Sequence, residues 1–274
     1  NTLTGNNQFV MSYLTDEVLA KLPAQYQDAI VKTAVSDRFC ADLCQAVCLP
    51  ESDSPTDETG QGQAFMTWLV ANNPFIVSLD AAGQWYRHHH LIQELLEHQL
   101  HIRFDTKTIT SLHRKASYWF ATQGMVEDAI RHALPAGETA VIIQLVRQHR
   151  YQLLNQDNWP RLERWLQLLP TSLIETNAEL LMMYAWSLQN RWRFRELPTV
   201  LNQIAMLLQT SPDERLQGEL SVLSGIQLYW TVNGSHLVPT AQQALAQLPL
   251  DAVFARGLAW IFLSLGLQMM GDLP

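Results

Sequence analysis

The stretch Gln84-Trp85-Tyr86-Arg87-His88-His89-His90-Leu91-Ile92-Gln93-Glu94-Leu95-Leu96 decides the fold of this chain. It begins as a short aromatic strand and continues directly into an amphipathic helix, with three consecutive histidines at the junction. The start of a helix carries unpaired N–H groups and a partial positive charge, so it favours anions. An imidazole placed there can donate to a phosphate, and its charge responds near neutral pH. The junction is therefore the first candidate for a binding site.

A second apolar run precedes the junction and predicts a β-hairpin. The run Phe75-Ile76-Val77-Ser78-Leu79 is rich in β-branched and aromatic residues, and a turn containing Gly83 leads from it to Trp85-Tyr86-Arg87. Upstream, the apolar spacing predicts helices over residues 9–22, 24–35, 38–47 and 62–72, with a polar acidic loop at 49–60. Asp37 is the predicted cap of the third helix. Helices followed by a two-stranded hairpin predict a winged-helix domain at residues 1–104.

From residue 105 onward the pattern requires no strand. Helices are predicted at residues 108–123, 126–134, 138–155 and 159–169, which form a helical arm at 105–170. Helix–turn junctions follow at Arg191-Trp192-Arg193, Asn233-Gly234-Ser235 and Met270-Gly271-Asp272. Their spacing of about 40 residues is typical of tetratricopeptide-like helix pairs, so residues 171–274 are predicted to begin a repeat-built sensor. The predicted fold class is mainly α, with a winged helix and short hairpin, then an arm and tetratricopeptide-like α-solenoid repeats.

Composition limits the classes of function. The chain has 274 residues, of which 47% are hydrophobic and 16% charged, and its net charge is −8. Strong nucleic-acid binding is not expected, because it requires a basic surface. Three cysteines argue against a disulfide framework and for a reducing compartment. With no signal sequence and no long uninterrupted apolar run, the chain is expected to be cytoplasmic, without a membrane partner. Its start at Asn1 and its turn-like end, Gly271-Asp272-Leu273-Pro274, predict a piece of a larger protein.

The sequence has none of the motifs that are typical of catalytic or metal-binding sites. Cys40, Cys44 and Cys48 lie four residues apart on one predicted helix face, which fits a metal or cluster site but is favoured as a buried core stripe. Adjacent histidines do not share a helix face, which argues against zinc. No phosphate loop, dinucleotide motif or nucleophile elbow is present. No catalytic residue and no metal ligand is predicted, and the chain is not expected to be an enzyme.

Aromatic residues in the predicted repeats have two interpretations. Trp186, Tyr229, Trp230 and Trp260 would offer stacking faces to an effector such as a sugar, or they would pack in the core, as aromatic stripes at helical spacing usually do. The alternating run at 191–195, Arg-Trp-Arg-Phe-Arg, fits stacking on nucleic acid, but its place at a helix–helix turn of an acidic chain favours a solvated turn or a partner contact.

Three stretches together resemble one protein family. Residues 84–100 resemble the Trp-Tyr-Arg-Tyr-His-His-Leu-Phe signature of MalT-like, LuxR-type ATP-dependent transcriptional activators, which are STAND-class signal-transduction ATPases. Residues 112–134, with Leu-His-Arg-Lys-Ala-Ser-Tyr-Trp-Phe at their start, resemble the next segment of these proteins. Residues 159–170, Trp-Pro-Arg-Leu-Glu-Arg-Trp-Leu-Gln-Leu-Leu-Pro, resemble the segment that leads into their sensor repeats. The order and spacing match over nearly the whole chain.

The resemblance implies an architecture and a set of partners. Such proteins have an N-terminal nucleotide-binding domain, a winged helix, an arm, a sensor and a C-terminal DNA-binding domain. This chain would be the middle, so it would contact its own nucleotide-binding domain and reach DNA only through the C-terminal domain. ATP and ADP would bind the full-length protein and not this fragment alone. A small-molecule inducer or regulatory protein would bind the sensor repeats, and the active protein would self-associate.

The resemblance also implies one site residue. In related ATPases a histidine within a Met-His-Asp motif of the winged helix contacts the β-phosphate of ADP. His88, His89 and His90 occupy the three places in turn, and only His89 matches residue for residue. His89 is therefore the predicted nucleotide-sensing residue. The alternative is a helical-repeat scaffold that binds proteins without nucleotide switching, and a hydrolase built on the histidines is a distant third.

Overall fold

The computed structural model describes residues 23–49, 60–73 and 75–271. The predicted helix at 9–22 and most of the predicted loop at 49–60 lie outside these ranges. The chain forms two compact units, Asn1–Glu138 and Thr139–Pro274. This division falls inside the predicted arm, and the domain boundaries at 104 and 170 stay predictions.

The first unit contains six helices and a two-stranded antiparallel sheet within its described residues. In chain order these are α1 (Ala24–Thr33), α2 (Ala41–Val47), α3 (Gln61–Asn72), β1 (Ile76–Ser78), β2 (Tyr86–His88), α4 (His90–Arg103), α5 (Thr106–Thr122) and α6 (Val126–Ala133). The strands pair Ile76 with His88 and Ser78 with Tyr86. Asp80 in the turn accepts hydrogen bonds from the backbone N–H groups of Gln84 and Trp85 at 2.8 and 2.9 Å. The predicted hairpin that runs directly into a helix is confirmed.

One predicted boundary in this unit is wrong. Helix α2 begins at Ala41 and not at residue 38, with Cys40 in extended conformation before it. The cause is a third strand-like contact, because Phe39 and Tyr86 exchange both backbone hydrogen bonds at 2.9 Å. Phe39 therefore pairs with the hairpin, and Cys40, not Asp37, caps the helix.

The core of the first unit follows the apolar faces of its helices. Its fully buried side chains include Ile30, Val31, Phe39, Leu43, Cys44, Phe65, Leu69, Ile92, Leu95, Leu96 and Phe120. Cys44 and Cys48 are buried and Cys40 is half-buried, so this cysteine stripe packs as part of the core.

His88 is the polar member of this core. The Thr33 hydroxyl donates to the carbonyl of Ile30, and its oxygen lies 2.6 Å from His88 Nε2. Because the hydroxyl proton is used, the imidazole must donate Nε2–H to Thr33. Nδ1 is buried with no hydrogen-bond partner among the described residues, so a second proton there would lie in an apolar site without an acceptor. Burial accordingly lowers the pKa of His88 to about 3.

The second unit is built from helices in its described part. They are α7 (Thr139–Asn155), α8 (Trp159–Leu168), α9 (Thr171–Thr176), α10 (Ala178–Asn190), α11 (Leu197–Thr210), α12 (Glu214–Trp230), α13 (Gly234–Gln247) and α14 (Val253–Met270). The mainly α fold class is confirmed. By length and composition alone, α14 would be long enough and apolar enough to cross a membrane, although a single helix of this kind is weak evidence for a membrane protein.

Left-handed residues end several helices of this unit at regular intervals. Asp157, Trp192 and Val232 have φ of 55°, 58° and 53°, and Gly271 has φ of 81°. The residue after each of the first three donates to a carbonyl five residues earlier at 2.9 Å, which is the Schellman arrangement. The predicted turn at Asn233-Gly234-Ser235 therefore has its left-handed residue at Val232.

Gly234 serves helix packing and not the turn. It is the first residue of α13, and a Cβ added there would lie 2.8 Å from Met269 Cβ and 3.0 Å from the Gly266 carbonyl oxygen on α14. A larger residue would push these helices apart.

Two prolines of the same unit, Pro198 and Pro239, occupy different positions in their helices. Pro198 lies in the first turn of α11, where proline is tolerated, whereas Pro239 lies inside α13.

A buried ionic cluster holds α7, α10 and α12 together. Arg150 is fully buried and contacts Glu179 at 2.8 Å and Glu219 at 2.8 Å. Tyr151 donates to Glu219 at 2.8 Å, and the Trp186 indole N–H donates to the same carboxylate at 2.6 Å. Burial alone would raise the pKa of Glu179, but the guanidinium groups of Arg150 and Arg215 hold it at about 2. Glu179 is therefore charged, and both carboxylates are paired with Arg150.

Replacing Arg150 should destabilise the chain strongly. Arg150→Met would leave Glu179 and Glu219 buried without their central cation, which costs about 3–5 kcal/mol. Arg147→Met is the matched control, since Arg147 also reaches Glu179 but its side chain is 53% exposed; its expected cost is about 0–1 kcal/mol. Urea unfolding of both variants measures the difference, and equal losses would contradict the structural role of the cluster.

His88 should make stability depend on pH. Its pKa is about 3 in the folded chain and about 6.5 when unfolded, so below pH 6.5 the unfolded state binds the extra proton. Stability is therefore complete above pH 6.5 and falls by about 1.4 kcal/mol for each pH unit below it. His88→Gln keeps a donor for Thr33 but does not titrate. Urea unfolding at pH 7.5 and 5.5 should show a loss smaller by roughly this amount in the variant. An unchanged pH dependence would exclude a neutral, buried His88.

Candidate functional site

The histidine junction separates three neighbouring residues into different environments. His88 is the last residue of β2 and points into the core, where it is 4% exposed. His89 caps α4 in an extended conformation, with φ −59° and ψ 141°, and His90 is the first residue of the helix. His89 and His90 are both exposed, and their rings lie 4.2 Å apart. The extended strand geometry thus buries the first imidazole and leaves the next two accessible.

The backbone of His89 is fixed although its side chain is accessible. Its N–H donates to the carbonyl of Phe75 at 2.8 Å, which extends the hairpin pairing by one residue. Its carbonyl accepts from the N–H groups of Ile92 and Gln93 at 2.9 and 3.0 Å, which closes the first turn of α4. Its imidazole has no hydrogen-bond partner among the residues that the structure describes. A fixed backbone with an accessible imidazole is suited to contact a group outside this unit.

The chemistry of this junction favours an anion. The first turn of α4 directs unpaired N–H groups and the positive end of the helix dipole outward, next to the His89 ring. A phosphate oxygen would accept from both the ring and the backbone. His88 cannot take part, since its imidazole is committed to Thr33. In the described ranges, no group of three or more His, Cys, Asp or Glu side chains could hold a metal ion.

The predicted aromatic surface is only partly accessible. Trp186 is fully buried and its indole donates to Glu219, so its expected stacking face does not exist. Trp230 is 61% exposed, and Tyr229 is half-buried with its ring 5.5 Å away. Trp260 is 57% exposed on α14. Of the four predicted residues, only Tyr229 and Trp230 are brought together by a ring contact.

Trp230 lines an apolar groove of about 540 Å³ between the α10–α11 turn with the start of α11 and the end of α12. The groove is lined by Phe194, Leu197, Ile226, Gln227, Trp230 and Thr231. Phe194 lies 6.3 Å from Trp230 and 5.6 Å from Trp192, measured between ring centroids. Sequence reasoning assigned the run at 191–195 to a solvated turn and missed Phe194 as a lining residue. The signal was the spacing between two turns, which brings Phe194 and Trp230 to the same end of the helix pairs.

Two of the three arginines of this run are ion-paired. Arg191 pairs with Glu163, and Arg193 pairs with Glu196 at 2.5 Å. Trp192 is 75% exposed in a left-handed conformation that a bulky residue rarely adopts. Nothing in the ion pairs supports stacking on nucleic acid.

Comparison with known proteins gives one family match. Residues 15–108 match the MalT winged helix domain family. This range includes the hairpin and the whole histidine junction. The predicted winged helix at this place is confirmed.

Individual relatives extend the likeness over the rest of the chain. The HTH-type transcriptional regulator MalT of Cronobacter sakazakii is 25% identical over 98% of this chain and 29% of that protein. MalT of Klebsiella pneumoniae is 24% identical over 92% of the chain and 27% of its own length. The serine/threonine-protein kinase PknK of Mycobacterium tuberculosis is 28% identical over 68% of the chain and 16% of its own length.

The chain thus spans less than a third of the length of these relatives. The resemblance inferred from the sequence is confirmed by both comparisons: the chain is similar to MalT regulators over most of its length, and residues 15–108 match the MalT winged helix domain.

Proposed function

We propose that this chain is the regulatory middle of an ATP-dependent bacterial transcriptional activator, in which it couples the nucleotide state to inducer sensing. The observation that carries this proposal is the exposed His89 imidazole at the start of α4, inside a winged helix of the MalT family. The relatives named as transcriptional regulators supply the biological setting.

The proposed mechanism is a switch with two states. In the resting state, ADP in the N-terminal nucleotide-binding domain is held by His89 through its β-phosphate, which keeps that domain against the winged helix. Exchange of ADP for ATP breaks the contact between His89 and the nucleotide. The protein is then free to self-associate and bind its promoter. A ligand shifts such an equilibrium only by binding one state more tightly than the other. His89 provides that difference if it contacts phosphate in the resting state alone.

The second unit is proposed to receive the inducer. A groove with Trp230 and Phe194 at one end of the helix pairs offers aromatic surface to a small molecule or to a regulatory protein. The nucleotide would be bound by the full-length protein, DNA by a C-terminal domain and neither by this fragment alone. We expect the protein to act in the cytoplasm and this fragment to have no enzymatic activity of its own.

Removing the His89 imidazole should weaken ADP retention. In the full-length protein, His89→Ala deletes one hydrogen bond to a charged phosphate, which corresponds to about 1.5–3 kcal/mol or roughly 10–100-fold in ADP affinity. Inducer-independent transcription should rise for the same reason. ADP release from purified protein and a reporter assay without inducer provide the two measurements.

His90→Ala is the matched control, because His90 is equally exposed and adjacent but does not occupy the histidine place of the motif. It should retain ADP as the unchanged protein does. Unaltered ADP retention in His89→Ala, or an equal loss in both variants, would argue against a specific phosphate contact.

The groove should determine the response to inducer. In the full-length protein, Trp230→Ala removes an exposed ring from the groove and should raise the inducer concentration needed for activation by about tenfold, the effect of losing roughly 1.4 kcal/mol of stacking. Trp260→Ala removes a ring of similar exposure that does not line the groove, and it should leave the response unchanged. A thermal-shift screen identifies the inducer first. Equal responses of the two variants would place the inducer elsewhere.

A further inference from the structure

We propose that a cavity in the first unit binds a small organic ammonium ion, held between the Trp119 indole and the Asp42 carboxylate. The cavity measures about 660 Å³, which suits a small molecule. It lies between the start of α2, one face of α3, the end of the hairpin turn and the last turn of α5. This site is separate from His89, and the proposal does not depend on the nucleotide switch.

The charge of the cavity selects the sign of the ligand. Asp42 is the only charged residue among those that line it, and no lysine, arginine or histidine does so within the described ranges. Asp42 is exposed and has no ion pair or hydrogen-bond partner for its carboxylate in the described part of the chain. Among the lining residues, a phosphate or carboxylate ligand would meet only this negative charge. The Arg38 guanidinium beside Trp85 is not a lining residue and is paired with Asp128. A cation would gain a partner that the chain itself does not provide.

The indole rings already show how a cation is held here. The guanidinium of Arg38 lies over the Trp85 ring, 4.7 Å from its centroid. Trp85 meets Trp119 edge to face at 6.0 Å, and both rings are half-buried and line the cavity. Arg38 is neutralised by Asp128 at 2.6 Å, so its charge is not the counterion of Asp42. The Trp119 ring therefore remains as the platform for a second cation.

Neighbouring groups complete an environment for an amine with an apolar body. Met66 and Met125 also line the cavity, and their polarizable sulfur packs well against alkyl and aromatic groups. The Cys40 thiol lies in the cavity as well, and its pKa is raised by burial and further by the nearby Asp42 carboxylate. The thiol is thus neutral, and the negative charge of the cavity belongs to Asp42.

Asp42 and Trp119 also occupy the place where two cavities meet. A smaller cavity of about 360 Å³ near Gly60 and Gln45 shares Asp42, Trp119, Ala41 and Gln63 with the larger one. A ligand seated between the indole and the carboxylate would reach both. Asp42 lies in the first turn of α2, where a carboxylate also stabilises the helix. Stabilisation of the helix alone does not explain why two tryptophans and two methionines line the same cavity as this carboxylate.

The test uses three probes of the same shape and different charge. Phenethylamine is cationic, 2-phenylethanol is neutral and 3-phenylpropionate is anionic. Isothermal titration of the 274-residue chain should show saturable binding of phenethylamine, and about tenfold weaker binding or none for the other two, as expected for loss of one cation–π and ion-pair contact. Asp42→Asn should reduce the affinity for phenethylamine to that of the alcohol. Trp119→Ala should weaken it, and Trp119→Phe should restore most of it.

Glu94→Gln, which removes an exposed carboxylate on α4 outside the cavity, should leave the affinity unchanged. Thermal melting of every variant confirms that it is folded at the temperature of titration. The proposal is overturned if phenethylamine shows no saturable binding up to about 20 mM, a range that covers even weak millimolar ligands. Equal binding of the amine and the acid, or unchanged binding in a folded Asp42→Asn chain, would overturn it as well.

Discussion

The hydrogen bond between His88 and Thr33 is the constraint on which the candidate site depends. It ties the last residue of β2 to α1 inside the core, at 2.6 Å. The buried Nδ1, which has no acceptor in the described part of the chain, keeps the imidazole neutral. Because successive side chains of an extended segment point to opposite sides, burying His88 forces His89 outward. The first turn of α4 then begins next to an accessible imidazole. A polar bond in the core thus determines which histidine can meet a ligand.

In the second unit, buried polar contacts also fix how the elements pack, but here the contacts join fully charged groups. Arg150 joins Glu179 and Glu219 from two other helices, and Tyr151 and Trp186 each donate a further hydrogen bond to Glu219. Such a cluster contributes little net stability compared with apolar packing, but it is costly to break. It also requires the three helices to meet in one register, because any shift would leave a buried charge unpaired. Trp186 is held by this cluster, which explains why its ring is absent from the effector surface.

The sequence predicts the helices and strands better than it predicts the contacts between residues far apart in the chain. The hairpin, the helix at His90 and the helix pairs follow from local apolar spacing and from Gly and Pro positions. The start of α2 was missed because Phe39 pairs with Tyr86, a contact over more than forty residues that no local pattern reports. Arg150 was missed for the same reason. A lone charge beside Tyr151 in a helix resembles a surface residue until its partners on α10 and α12 are known.

The two sites proposed in the first unit have opposite electrostatic preferences. At His89, helix N–H groups and an imidazole face outward and favour phosphate. At Asp42, a carboxylate without a cationic partner in the described chain lies beside two indoles and disfavours phosphate. Both lie next to the same strand of the hairpin, because Trp85 immediately precedes β2 and His89 immediately follows it. A ligand that changed the packing of Trp85 would act on the strand that positions His89. The Phe39–Tyr86 bridge lies immediately beside Trp85 and ties β2 to the segment that precedes α2.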